Sequence, residues 1–372
     1  MPASAQRVLV LGGYGAFGSR VAERLARAGD VELMVAGRSM QRALAFARQL
    51  AGTTGVNAIP AALDASTISA SELQTWKPTL LINASGPYQT QDYSLARACI
   101  AAGVHYVDLA DARAFVTGIV ALDEVARRAD VLVVSGASTV PAVSAAAVDA
   151  CLARVPSPEA VTVVISPGNS FDPGLATVQS ILGGLGKAFE ALCNGKAVRA
   201  HGWQGVRKVT MPGLGARWAG NCNVPDLDLL PQRYPGLKTV QMLAGLEVGA
   251  FHLGLWLLSW PARAGVLRQP ERLAAPLRAL KHRLRFLGSD RGGMTVTLEG
   301  RDPLGRPGRC TFHLVAGSGD GPFIPATPSV IIARKLLRGE LAERGAMPCL
   351  GLFTLGEFLQ EVEDLDIVAG FA

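Results

Sequence analysis

The feature that most restricts how this chain can fold is a glycine pattern, Gly13-Tyr14-Gly15-Ala16-Phe17-Gly18, set between an apolar run and a helical one. The run before it, RVLVLG at 7–12, is apolar almost throughout, as a parallel strand buried on both faces requires. The residues after it place Phe17, Val21 and Leu25 four apart on one helical face, and Gly29 ends the pattern. Strand, glycine loop and helix in this order make a dinucleotide-binding turn. Gly13 is read as permitting the tight turn, Gly15 as letting a pyrophosphate approach the backbone, and Gly18 as letting the helix lie close to the sheet. Tyr14, Ala16 and Phe17 complete the loop, and the helix N-terminus offers N–H groups and partial positive charge to phosphates.

The pattern continues in the same style to about residue 150. Strands are predicted at 31–37 (VELMVAG), near 56–61, at 79–84 (TLLINA), at 105–110 (HYVDLA) and at 131–136 (VLVVSG), with helices between them. Strands separated by helices of this length imply right-handed crossovers and a doubly wound parallel sheet, that is, a Rossmann domain over 1–150. From about Ala150 the rhythm changes to strands that look paired around Gly-rich turns, at 160–166, 196–211, 238–248, 293–300 and 308–317. A helix is predicted near 177–193 and another in the basic stretch 263–285. The fold class is therefore α/β, a Rossmann sheet joined to an α+β substrate domain with an antiparallel sheet over 151–327. Residues 328–372 read as helices that pack back on the Rossmann domain and close a cleft.

The end of the second strand bears on the cofactor. A chain that binds NAD through the ribose 2′-OH usually ends this strand in Asp or Glu. Here it reads Val35-Ala36-Gly37-Arg38-Ser39. A guanidinium pairs bidentately with a 2′-phosphate, and the missing carboxylate removes a repulsion, so NADP(H) is the expected cofactor, held at Arg38 and Ser39. Asp64 is read either as meeting the adenine edge or as a helix N-cap.

Ligands of doubly wound sheets bind beyond the carboxyl ends of the strands. The fourth strand runs into Ala84-Ser85-Gly86-Pro87-Tyr88, whose small residues suit a nicotinamide ribose against the backbone. Candidates for proton transfer are Tyr88, His105, Asp108 and Asp111. His105 opens its strand and so belongs to the amino end of the sheet. Asp108 either points to the site or caps the next loop, and Tyr88 either donates a proton or packs beneath the cofactor.

Taken in order, GGYGAFG, INASGPY, HYVDLAD and the GAS-x-VPAVSAAAVD segment resemble the saccharopine dehydrogenase-like oxidoreductases. The resemblance covers the first 150 residues well and the C-terminal segment loosely. It implies a Rossmann domain, an inserted substrate domain and usually NADP(H). It also implies reduction of an imine formed between an amine and a keto compound, or of an activated C=C bond in a lipid substrate. Arg199, Arg207, Lys208 and Arg217 could hold carboxylates, but the tryptophans and leucines around them favour a fairly apolar substrate.

Composition narrows the remaining classes. Among 372 residues, 49% are hydrophobic and 18% charged, and the net charge of +6 is spread along the chain. No nucleic-acid signature accompanies that charge, so the expected partner is a small-molecule substrate, with a homodimer left open. Cysteines 99, 151, 193, 222, 310 and 349 form no CxxC pair and lie near no His at ligand spacing, so no metal is expected. Cys99 and Cys151 read as core. The opening residues MPASAQR lack a secretion pattern, and the protein is expected to be cytoplasmic. The apolar stretch 240–260 contains Glu247 and His252 and reads as a strand and a buried helix rather than a membrane span. The basic stretch 263–285 supports an alternative, a non-catalytic NADP-binding protein attached to a lipid surface. A second alternative is an amino-acid dehydrogenase of the saccharopine type.

Overall fold

The computed structural model describes residues 6–372, so residues 1–5, most of the segment read for a secretion signal, lie outside the described residues. The chain begins β1 (Arg7–Leu11), α1 (Gly18–Ala28), β2 (Glu32–Gly37), α2 (Met40–Thr54), β3 (Ile59–Ala62), α3 (Ala70–Trp76), β4 (Leu80–Asn83) and α4 (Ser94–Ala102). β5 (His105–Asp108), α5 (Arg113–Gly118), α6 (Asp123–Arg128) and β6 (Leu132–Ser135) follow. Local chemistry sets many of the ends. Gly29 closes α1 in the left-handed region at φ 68°, and Ser69 with Glu72 forms a capping box on α3.

Then come α7 (Ser144–Cys151), β7 (Ser157–Ser166), α8 (Gly174–Gly183), β8 (Ala188–Cys193), β9 (Lys196–His201), β10 (Arg207–Met211) and β11 (Gly215–Asn221). The chain continues as α9 (Asp226–Arg233), β12 (Thr239–Leu246), α10 (Gly249–Arg263), α11 (Ala274–Arg283), β13 (Gly292–Arg301) and β14 (Pro307–Ala316). It ends with α12 (Phe323–Leu337), β15 (Gly345–Pro348), α13 (Leu355–Glu361) and β16 (Ile367–Phe371).

By internal contacts the chain forms two units, one reaching to Ala142 and joined by Pro322–Phe353, the other Val143–Gly321 with Thr354–Ala372. In the first, a seven-stranded sheet runs β15-β6-β5-β4-β1-β2-β3 with every pair parallel. Its core is apolar on both faces: Leu9, Leu11, Met34, Leu81, Tyr106 and Val133 are all but fully buried on one, and Val8, Val10, Val35, Leu80 and Ile82 on the other. α12 packs against α1. The doubly wound parallel sheet read from the sequence is thus present.

The second unit holds a seven-stranded sheet, β10-β11-β12-β7-β13-β14-β16, and a separate β8–β9 hairpin. All its neighbours are antiparallel except β12 and β7, so the sheet is mixed rather than purely antiparallel. Three segments differ from the sequence reading. The helix predicted over 177–193 ends at Gly183, because the glycines at 184 and 186, the latter at φ 65°, break it before β8. The basic stretch 263–285 is no single helix. Gly265, at φ 75°, separates α10 from α11, Arg278 pairs with Asp172, and Lys281 donates to the Asn169 and Phe171 carbonyls. The tail read as helices on the first domain divides instead: α12 and β15 belong to the first unit, while β16 pairs along β14 in the second. No helix among the described residues is long and apolar enough to cross a membrane.

Candidate cofactor and active site

In the first unit the strand order turns at β1, with β2 on one side and β4 on the other. Ligands of such sheets bind at this switch point, beyond the carboxyl ends. Those ends are level, since Leu11 stands opposite both Ala36 and Asn83, and Asn83 opposite Asp108. The residues that follow β1 and β4 touch: Ala84 N–H donates to Leu11 O at 2.8 Å, and a Cβ on Gly12 would lie 2.9 Å from the Ala84 carbonyl carbon.

The glycine loop is built much as its pattern suggests, with one exchange of roles. Gly12, not Gly13, turns the chain at φ 78°, and both N–H groups donate to Ala36 O, at 2.8 and 3.0 Å. Gly13 is needed for packing, because a Cβ there would lie 2.9 Å from Val35 Cγ1. Gly18 seats α1 on the loop, for a Cβ would lie 2.2 Å from Gly12 O. A Cβ on Gly15 would meet only Gly12 O, at 3.0 Å. Ala16 and Phe17 are half-buried, and no side chain caps the α1 N-terminus. These glycines and the uncapped helix fit a pyrophosphate.

Beyond β2, Tyr14 folds across the strand end. Its Oη accepts from Ser39 N–H at 2.9 Å, and a Cβ on Gly37 would collide with that oxygen at 2.5 Å. The position where an acidic residue would stand in an NAD-binding strand is thus glycine because Tyr14 occupies the space. Arg38 is exposed, and Arg42 lies over the Tyr14 ring at 4.6 Å. Ser39 Oγ accepts from Arg42 N–H and caps α2. Asp64 Oδ1 accepts from the Ser66 N–H and hydroxyl, at 3.0 and 2.8 Å; these bonds, with Arg38 nearby, hold its carboxyl below the usual range. Asp64 thus forms an Asx turn, and Ser69 caps the helix that follows.

After β4, buried Asn83 organises the loop. Its Oδ1 accepts from Ser85 N–H and Oγ, and its Nδ2 donates to Tyr106 Oη at 3.1 Å and Gln91 Oε1 at 3.3 Å. Ala84, Ser85, Gly86 and Pro87 are half-exposed, and the Gly86–Pro87 peptide is cis. Tyr88 is buried. It donates to Asn83 O at 2.7 Å and packs on Phe115, and burial, with Asp108 nearby, lifts its hydroxyl well above the ordinary value.

Asp108 is wholly buried and accepts from Ala110 N–H, Gly136 N–H and Ser135 Oγ at 2.9–3.0 Å, tying β5 to β6. Burial pushes it up to about 6 against those three donors. His105 stands at the other end of β5, where its Nδ1 accepts from Leu132 N–H at 2.9 Å. Burial and Arg344 lower its pKa. Strand direction therefore separates His105 from the glycine loop, contrary to its grouping with the other candidates. Asp111 is half-buried just past β5, its Oδ1 accepting from Gln89 Nε2 at 3.4 Å, and burial raises its pKa. The fold thus gathers Tyr88, Asp108 and Asp111 at the carboxyl ends. Sequence reasoning missed Gly12, Arg42 and Asn83, although the Gly12-Gly13 doublet and the amide ending an apolar strand were visible signals.

Residues 8–153 match the family model of the saccharopine dehydrogenase NADP binding domain, in agreement with the resemblance in the motifs. No curated protein matches the chain. Among solved structures it is similar to apo, histidine-tagged saccharopine dehydrogenase (L-Glu forming) from Saccharomyces cerevisiae, with TM-score 0.70 and 15% identity over 99% of this chain and 100% of that one. It is also similar to the amine dehydrogenase from Mycobacterium smegmatis, with TM-score 0.50 and 14% identity over 94% and 95% of the two chains. At these identities the likeness is one of fold.

Proposed function

From a chain whose residues 8–153 match the family model of the saccharopine dehydrogenase NADP binding domain, we propose an NADP(H)-dependent oxidoreductase that reduces a C=N or activated C=C bond of a fairly apolar small molecule. The observation that supports it most is the meeting of the Gly12–Gly18 loop and the Ala84–Pro87 loop at the switch point of the sheet. Bound there, the cofactor supplies hydride from C4 of its nicotinamide. Gly15 admits the pyrophosphate, and the α1 N-terminus faces its charge. Arg38 and Arg42 pair with the 2′-phosphate, beside a strand end where Tyr14 and Gly37 leave no room for an opposing carboxylate. Ala84–Pro87 bear on the nicotinamide ribose. Asp111, at the carboxyl end of β5, is the residue assigned to hand a proton to the substrate atom that does not receive hydride; burial raises its pKa, and the bond from Gln89 acts in the opposite direction. Tyr88 and Asp108 act as positioning residues, one beneath the loop and the other between strand ends.

The test is a fluorescence titration of NADPH and NADH, repeated with Arg38→Ala. NADPH should bind more tightly, and the variant should lose about 10- to 100-fold of NADPH affinity with NADH unchanged, as expected for one charge-assisted phosphate contact. If neither nucleotide binds at micromolar concentrations, the oxidoreductase reading fails.

A further inference from the structure

Helix α10 is built inside out. An ordinary surface helix turns its polar side chains to water and its apolar ones inward. From Gly249 to Ala262, α10 carries no Lys, Arg, Asp or Glu, and its two polar side chains, His252 and Ser259, stand seven residues apart on one face. Both are 0% exposed. Ser259 Oγ accepts from Gln204 Nε2 at 3.2 Å and donates to Trp256 O at 2.6 Å, while His252 lies against Trp203. The side turned the other way holds Leu253, Leu257 and Trp260, spaced four and three apart, and Leu257 is 60% and Trp260 48% exposed. Val266, just past the helix, is 80% exposed.

A single leucine in solvent means little, but this stretch is dense in such residues. Leu280, Phe286 and Leu287 are exposed too, and no other stretch of similar length among the described residues leaves as many large apolar side chains in the open. The fold brings its parts together. Leu255, Leu258 and Ala262 of α10 pack on one cluster with Leu273, just before α11, and Leu277 within it. Ser289, beyond α11, donates to Glu247, just before α10, so α11 ends beside the start of α10. With that cluster beneath both helices, α10 turns an apolar side outward, and α11 places His282 and Arg283 on the side away from Leu277.

Charge narrows what can cover this surface. Residues 263–285 hold seven arginines and lysines and one carboxylate, Glu271. Three of the cations are engaged within the fold: Arg263 with Gln204, Arg278 with Asp172, and Lys281 with the Asn169 and Phe171 carbonyls. Arg268, Arg272, Arg283 and Arg285 are exposed, and none has an ion-pair partner among the described residues. Unpaired guanidinium groups beside an uncharged apolar face supply the two halves of interfacial binding, attraction to lipid phosphates and hydrocarbon contact. Tryptophan suits the headgroup level, and Trp256 and Trp260 lie edge to face at 6.4 Å. A second copy fits less well, since a two-fold contact sets the same cations against themselves with only Glu271 from each stretch to offset them.

We propose that α10 and the segment 264–287 dock on an anionic membrane surface, with Leu257, Trp260, Val266 and Phe286 entering the acyl boundary and Arg268, Arg272, Arg283 and Arg285 meeting lipid phosphates. The chain lies on the bilayer and does not cross it. Co-sedimentation of the full chain with vesicles tests this, comparing phosphatidylcholine alone with phosphatidylcholine mixed with phosphatidylglycerol. The protein should bind the anionic vesicles and leave the neutral ones. Arg283→Gln and Arg285→Gln should each weaken binding about fivefold, the worth of one cation near a charged leaflet. Leu257→Ser/Trp260→Ser should reduce binding to the level of neutral vesicles, with Tm and nucleotide titration unchanged because both side chains stand in solvent. Mixed vesicles with brominated chains should quench the tryptophan fluorescence of wild type, and Trp260→Phe should remove much of that quenching. Should the double apolar variant fail to fold, the arginine variants and the quenching decide. Absence of binding, equal binding to neutral vesicles, or wild-type binding by the apolar or the arginine variants would overturn the proposal. So would a concentration-dependent dimer in light scattering that Leu257→Ser/Trp260→Ser abolishes, which would assign the face to a second copy. Failure of wild type to bind nucleotide would sink the reductase reading and leave this surface untouched.

Discussion

Asp226, in the first turn of α9, should make the second unit more stable in mild acid than in mild base. The residue is 0% exposed, Oδ1 accepts from the Ser144 hydroxyl, and Oδ2 has no hydrogen-bond partner. Burial pushes its pKa from 3.8 up to about 7, with the Ser144 bond acting in the opposite direction. A folded-state value above the unfolded one means that the folded form holds the proton more tightly. The associated stability is fully present below about pH 4 and is lost as pH rises toward 7. At about 1.4 kcal/mol per pH unit the total is about 4 kcal/mol, or about 10 °C in Tm for a unit of this size. Asp226→Asn keeps an acceptor for Ser144 and cannot ionise. Its advantage over wild type should be small at pH 4.5, grow through pH 6 and level off above pH 7.5. Urea unfolding followed by tryptophan fluorescence suits the measurement, since Trp203, Trp218, Trp256 and Trp260 lie in this unit and Trp76 in the other. A constant offset between the two proteins at every pH would refute the reasoning, for it would mean that Asp226 is ionised at its ordinary pKa despite its burial.

Two further outcomes follow from single sites. Gly18→Ala should abolish nucleotide binding, because a methyl 2.2 Å from Gly12 O must push α1 off the loop, and a variant titrating NADPH like wild type would disprove that packing. His252, buried beside Trp203 with both ring nitrogens unbonded, is lowered by burial to about 4, so its stability is present above about pH 6.5 and lost toward pH 4. That loss is about 3 kcal/mol, and His252→Leu should flatten the acid limb of the stability curve; parallel limbs for both proteins would count against it.

Much of the first unit was legible along the chain, because its signals are local. Continuous apolar runs mark strands buried on both faces, and Gly29 marks a helix end through its own backbone bond, whereas the N-cap offered at Asp64 falls at Ser69. The glycine loop was readable for the same reason, since strand, turn and helix are contiguous. What the sequence alone could not decide was set by pairings between distant segments. Gly12 and Gly13 exchanged roles because the loop is tied to Ala36, and Gly37 is glycine because Tyr14, far away in sequence, lies against it. Tyr88 became a packed ring through Asn83 and Phe115, whereas His105, which opens its strand, was already legible as lying at the amino end, away from the cofactor loop. The second unit was less legible still. Its glycine breaks are local, but β16 on β14, the parallel β12–β7 pair and the turn at 212–214 set against Val315 depend on long-range register. Residue types along a strand carry the period of two, while the neighbour each strand finds is decided only when the whole sheet closes.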